Sequence, residues 1–286
     1  MNRCTTGTVS LRLHIVGLSR DSYYSYTRRH AYREKRDAER VSRLKQLAKK
    51  KGYKAGIRTL VMDYTRVYRE PINCKAVARL KQTYDIPTKI RVRRTTKPSQ
   101  PTLNHNPRVH TNVLNREFTA VLSPFFAVGS DVTYIRWKGR WIYLSAIKDF
   151  VTAEFLAWNI SLHNDNDLAL ETIRLLGVNH ADHIAQGMFL QLDQGSQYTS
   201  TVYQNATSAL KLVISMSRKG HCIDNAPTES GWGHFKDWID LSACETLEEV
   251  RAHIDAVMVF FNEERPQWTR KKMTPVAYRN HLLLTQ

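Results

Sequence analysis

Cysteine is scarce in this chain. Its 286 residues hold four, at Cys4, Cys74, Cys222 and Cys244, far apart and never as a CxxC pair. That excludes a disulfide framework and leaves free thiols. Joining Cys222 and Cys244 to His180 and His183 gives the spacing of no common zinc module, so zinc is set aside. Long hydrophobic runs are missing too. No stretch approaches the ~18 uncharged apolar residues of a membrane helix, and Arg12 breaks the first apolar run, which removes the core of a signal peptide. A soluble, cytoplasmic protein with no membrane partner is expected. Internal repeats and low-complexity tracts are also absent. The most telling shortage is of acid at one end. Residues 1–100 hold 26 Lys and Arg against 7 Asp and Glu, a net of +19, whereas residues 101–286 hold 17 against 19 and come out at −2. A solvated helix face does not account for so lopsided a split; neutralisation of a polyanion's phosphates does.

What is present divides at the same place. Residues 31–51 are good helix formers closed by Gly52, and Gly56–Val67 and Asn73–Tyr84 read as two further helices, the last capped by Asn73. Residues 1–90 are therefore expected to form a small all-helical basic domain. Its last two helices resemble a helix-turn-helix, with Lys75 and Arg79 toward DNA. Residues 91–112, rich in Pro, Thr and Asn, read as a linker whose Arg91, Arg93 and Arg94 have no acidic neighbours. From Asp131 the pattern turns to β-branched and aromatic runs: DVTYIRW, GRWIYLSAIKD and AEFLAWNIS. A helix capped at Asn164/Asp165, a short strand MFLQL, a helix over Ser200–Leu210, a strand LVISM and a helix opened by Asn225-Ala226-Pro227 follow. The order β-β-β-α-β-α-β-α is that of a ribonuclease-H-like α/β core, a mixed five-stranded sheet with flanking helices, expected over 113–245. Residues 246–286 supply a C-terminal amphipathic helix and a tail.

Three acids stand at strategic points of that core. Asp131 is read at the start of the first strand, Asp193 where a buried strand ends before Gln194-Gly195, and Glu229 in the first turn of a helix behind Pro227. Strand ends and a helix start can converge, and three converging carboxylates repel unless a hard dication holds them. The set therefore predicts Mg²⁺ or Mn²⁺, as a pair of ions in phosphoryl transfer. Singly, an Asp beside a Gly is an ordinary turn and a Glu in a helix's first turn simply suits the dipole. Thirty-five residues separate Asp193 from Glu229.

The stretches DVTYI (131–135), LDQGSQYTS (192–200), ISMSRKGHCIDNAPTES (214–230) and FNEERPQWTRKKMTPVAYR (261–279) carry a resemblance. So do YKAGIRTLVMDY and INCKAVARLKQTYDIP in the helical part. The chain resembles the second-frame (OrfB-type) transposases of bacterial insertion sequences, whose core is related to retroviral integrases. The resemblance implies an Asp-Asp-Glu triad at Asp131, Asp193 and Glu229, and a transposase that cleaves and joins DNA strands at the element's ends. It also implies Lys236, seven residues after Glu229, on DNA. The basic loop at Arg218 and Lys219 is expected there too. Double-stranded DNA, a homo-oligomer assembled on it and an upstream-frame partner protein are the implied partners, and action in the bacterial nucleoid the implied place. Departures are local: Gln191-Leu192 stand where the family usually has His-Ser, Phe261 where a Tyr is common, and Gln267 where a His follows Arg-Pro. A ribonuclease-H-like nuclease that cuts without joining, and a catalytically decayed transposase that only binds DNA, fit the same residues.

Overall fold

The computed structural model describes residues 13–89, 109–113, 123–217 and 226–285, and the side chains of all of these except 226–230. The chain separates into two compact units, Met1–Lys89 and Ile90–Gln286.

In the first unit α1 (Arg20–Lys50), α2 (Ile57–Tyr68) and α3 (Cys74–Thr83) pack on one another. Leu44, Leu60, Tyr64, Val77 and Leu80 are fully buried between them. α1 begins eleven residues before the helix expected from sequence. Ser19 caps it through the backbone N–H of Ser22, and its residues as far as Arg36 stay largely exposed. No apolar period marks that half, because it buries almost nothing. Asn73 caps α3 as expected, accepting from Lys75 N. Two buried or half-buried acids tie the helices together: Asp37 pairs with Arg79 across α1 and α3, and Glu70 accepts from Arg40, Arg43 and Tyr64. The Arg40 guanidinium holds the Glu70 carboxyl below the usual carboxylate range.

The second unit is built on a five-stranded sheet of order β3-β2-β1-β4-β5. β1 (Ala127–Trp137), β2 (Arg140–Asp149) and β3 (Phe155–Ser161) form an antiparallel meander, whose first turn is Lys138-Gly139, both at positive φ. β4 (Phe189–Leu192) and β5 (Val213–Met216) add in parallel beyond β1. Their crossovers are α4 (Asn166–Ile184, capped by Asp165) and α5 (Thr201–Ala209, capped by Ser200). The mixed sheet with flanking helices in this order is the ribonuclease-H-like fold. Period-two alternation splits its side chains between two cores. Val128, Ile147 and Leu190 face α4 and α5, with Tyr198 and Tyr203. Ile135, Trp137, Leu144 and Ala146 face α6 (Ala226–Trp238) and α7 (Leu247–Val259).

Three sequence expectations shift. β1 starts four residues early, so Asp131 is its fifth residue rather than its first; the small residues Gly129 and Ser130 hid the strand. The last long helix stops at Val259 and closes in a π-helical turn, Phe260–Glu264. There Phe261 packs inward, and both groups of the Asn262 amide pair with the backbone of Phe155 on edge strand β3. Beyond it α8 (Pro275–Leu283) forms a separate helix, capped by Thr274 with Pro275 at its first position. Its hydrophobic pattern is too short to read from sequence.

Candidate active site

Sheet register leads two of the three acids toward one another. β1 and β4 pair in parallel as far as Gly129 with Gln191, and the same offset carried two residues further along each chain segment reaches Asp131 and Asp193, the residue after β4. Directly opposed residues share a sheet face. The row through Asp131 runs from Ala146 on β2 to Asp193 and, by the β4–β5 offset, to Ser217. The hydroxyl of the fully buried Tyr198 registers both acids. It sits 3.2 Å from Ser130 Oγ, and its proton is held well above the usual phenol range by burial, then by Tyr203, Asp131 and Asp193.

Each aspartate is oriented by backbone and side chain. Val132 N donates to Asp131 Oδ1 at 2.8 Å, and the indole Nε1 of Trp232 donates to Asp131 Oδ2 at 2.8 Å. Gly195 N donates to Asp193 Oδ1 at 2.8 Å. The fit is close: a Cβ on residue 195 would lie 2.8 Å from that same carboxylate oxygen, so one of the two would have to shift. Burial raises the Asp193 carboxyl above its usual range, with the Gly195 amide pulling the other way. Asp193 is thus a carboxylate kept partly out of water, whose ionised form a neighbouring cation would favour.

Trp232 brings the third acid's helix to the pair. It is buried on α6, which packs on β1, and its ring meets those of Phe155, at a tilt, and Phe235, edge to face. Glu229 stands three residues earlier on α6. Its side chain lies outside the described residues. Among the described side chains no three His, Cys, Asp or Glu gather as a ligand set.

The expected DNA contacts are distributed. Lys236, in the last turn of α6, sits over the ring of Tyr134 at 4.6 Å, and beside Arg136 and Lys138 it lines a groove of about 470 Å³. Lys75 is exposed on α3, whereas Arg79 spends part of its guanidinium on buried Asp37 at 2.7 Å. Arg91, Arg93, Arg94, Arg218 and Lys219 lie outside the described residues. Gln191, one of the departures noted above, is fully buried in β4 and donates through Nε2 to Ser217 Oγ at 3.0 Å. Gln194 Nε2 donates to Ser217 O at 3.0 Å, so two amides fix the end of β5 next to the carboxylate row. The tie from Trp232 to Asp131 and the hydroxyl of Tyr198 were missed in the sequence, although both residues stood in or beside the motifs.

Residues 127–222 match the Integrase core domain family, and residues 210–275 match a second Integrase core domain family. The putative transposase InsK of insertion element IS150 from Escherichia coli is 30% identical over 79% of this chain and 77% of its own length. The chain belongs to the bacterial insertion-sequence transposases. A transposase-like protein of Haemophilus influenzae is 31% identical over 60% of the chain and 78% of its length. The 31 kDa protein of insertion element IS600 from Shigella sonnei is 30% identical over 62% of the chain, which spans 64% of that relative's length. Among solved structures, the HTLV-2 integrase catalytic core domain in complex with magnesium is similar at 16% identity and a TM-score of 0.44. That likeness covers 55% of this transposase and 98% of that domain.

Proposed function

We propose that this chain cleaves DNA strands at the ends of a mobile element and joins the freed 3′ oxygens to target DNA. The observation that carries the reading is that Asp131 and Asp193 follow the paired ends of neighbouring strands β1 and β4, with the Glu229 helix tied to Asp131 through Trp232. Asp131, Asp193 and Glu229 would hold Mg²⁺ or Mn²⁺, as one or two ions. The donor set fits: all ligand atoms are carboxylate oxygens, and the burial that disfavours a bare Asp193 is relieved by a hard cation. When bound, such ions lower the pKa of an attacking water or 3′ hydroxyl and offset charge on the leaving oxygen. The chain's own part is orientation. Trp232 and Val132 fix the two oxygens of Asp131, Gly195 fixes Asp193, and Lys236 steadies a backbone phosphate. No covalent protein–DNA intermediate is required.

The test is incubation of the full chain with end-bearing duplex and a target plasmid in Mg²⁺. Nicked ends and joined products are expected. Nicking alone would turn the reading to a nuclease, and binding without nicking to a decayed transposase. Assembly as a homo-oligomer on DNA belongs to the same proposal, as does an upstream-frame partner. Light scattering of the protein–DNA complex reports the first.

Trp232→Phe tests the orienting role. The phenyl ring keeps the packing, but the N–H to Asp131 is gone. Losing such an outer hydrogen bond to a ligand costs roughly 10–100-fold in metal affinity. The Mg²⁺ needed for half-maximal cleavage should therefore rise by that order while the fold persists. An unchanged Mg²⁺ requirement would remove Trp232 from the site.

The first unit and the linker supply the non-specific grip on DNA in this reading, because residues 1–100 carry the whole +19 excess. Affinity of the full chain for duplex should fall with salt by ~0.9 log units per phosphate neutralised, for each decade of salt. Replacing Arg91, Arg93 and Arg94 together by alanine should lower that slope by roughly two to three. A slope that stayed put would move the grip to the catalytic unit.

A further inference from the structure

The far end of the β1–β2 hairpin carries two large aromatic rings on its outer face. Period-two alternation puts Ile135 and Trp137 in the core against α6 and α7, and turns Tyr134 and Arg136 the other way. On β2, Ile142 and Leu144 are buried in that same core, and Trp141 points outward with Tyr134. Tyr134 is 56% exposed and Trp141 44%. The register sets Tyr134 opposite Tyr143 and Arg136 opposite Trp141, so the two exposed rings are diagonal neighbours. Their centroids lie 5.1 Å apart at 88°, edge to face.

Positive charge stands against both rings. The Arg136 guanidinium lies over Trp141 at 4.9 Å, and the Lys236 ammonium over Tyr134 at 4.6 Å. Pairing between β1 and β4 ends at Gly129, and Lys236 comes from α6 past the edge that β1 presents beyond it. Tyr134 is three residues along β1 from Asp131, ~10 Å at the rise of a strand. Cross-strand pairing explains why the two rings meet. It does not explain why so much of their surface is left in water, beside two cations and close to the acids. A nucleic-acid strand supplies the matching chemistry: each base has a π-face for an aromatic ring, and each nucleotide a phosphate for a cation. That face is free only where the base is unpaired, which separates this surface from the duplex grip of the first unit. A second copy of the chain suits it less well, because Arg136 and Lys236 would meet their own like charges.

We propose that Tyr134 and Trp141 form a stacking platform for an unpaired base of a DNA strand, with Arg136 and Lys236 on the phosphates beside it. The proposal rests on the reading of the acids as a strand-cleaving site: the base belongs to the strand that runs on from the phosphate at Asp131 and Asp193.

The full chain, without divalent cations so that no strand is cut, is titrated with two fluorescent probes. One is a duplex with short single-stranded extensions of both polarities carrying 2-aminopurine; the other holds the same base inside a blunt duplex. Stacking on an aromatic ring quenches 2-aminopurine, so saturable quenching is expected with the extensions and not with the paired base. Trp141→Leu and Tyr134→Leu should each weaken binding of the extended probe toward that of the blunt one, by roughly 5- to 150-fold. Trp141→Tyr, which restores a ring, should recover most of the loss. Extended-probe binding that both leucine variants leave intact, or equal quenching of the two probes by the wild type, overturns the proposal. So does a Trp141→Leu chain that loses self-association in light scattering and keeps its hold on the extension, since the patch then belongs to a second copy. The wild-type comparison of the two probes needs no variant to fold. Cleavage of an end-bearing duplex in Mg²⁺, run on the same preparations, keeps the two readings apart. A wild type that cleaves, with variants that bind the extension unchanged, loses only the platform; a chain that neither binds nor cleaves loses both.

Discussion

Asp193→Asn and Glu229→Gln should each abolish strand cleavage while leaving duplex binding in place. Both substitutions keep shape and hydrogen bonding and remove one negative charge from the set proposed to hold cations. Each ion contributes several kcal/mol of charge stabilisation in the transition state. A loss of about 4 kcal/mol corresponds to roughly a thousandfold in rate, which puts cleavage below detection. Binding should persist because the net positive charge lies in residues 1–100, not in the acids. Lys236→Ala is the contrasting case. The side chain sits in a groove with Arg136 and Lys138, so in the proposed reading its loss removes one of several phosphate contacts and no metal ligand. Cleavage should remain measurable, and the salt slope of binding should fall by about one unit. Parallel cleavage and filter-binding assays separate the two outcomes. Normal cleavage by Glu229→Gln would take Glu229 out of the site and the two-ion reading with it.

Why the acids could be found before the fold was seen, and other parts could not, follows from which interactions are local. Strand order was legible because β1, β2 and β3 alternate along short runs broken by Lys138-Gly139 and by the turn after Asp149. Helix starts were legible at Asn73, Asp165 and Ser200, where a short polar side chain precedes an apolar period and caps the first turn. The first half of α1 was not, since exposed Arg and Tyr residues carry no hydrophobic phase. The opposition of Asp131 to Asp193 could not be read either. Parallel register between β1 and β4 is set by a crossover of more than fifty residues, and no local pattern encodes it.

Phe235→Ala should be the most damaging single change in the catalytic unit that touches no proposed ligand. Phe235 is fully buried and meets the rings of Phe155, Trp232 and Phe261 at centroid distances of 5.9, 5.8 and 5.6 Å. Truncating such a residue removes the burial of its ring and leaves a cavity, costing ~3–5 kcal/mol. For a unit of about two hundred residues that is a drop of roughly 6–20 °C in the unfolding midpoint. The effect should reach the chemistry as well. Trp232, three residues before Phe235 on the same helix, holds Asp131 Oδ2, and Glu229, the third proposed ligand, lies on that helix as well. A loosened α6 therefore degrades the orientation of two acids at once, and cleavage at 25 °C should fall further than the remaining folded fraction explains. Phe235→Leu, which refills most of the volume, should recover the larger part of both losses. Denaturant melts and single-turnover cleavage on the two variants measure the coupling. A Phe235→Ala protein destabilised by less than 1 kcal/mol, or one whose cleavage simply tracks its folded fraction, would mean that α6 is held in place by something other than this aromatic cluster.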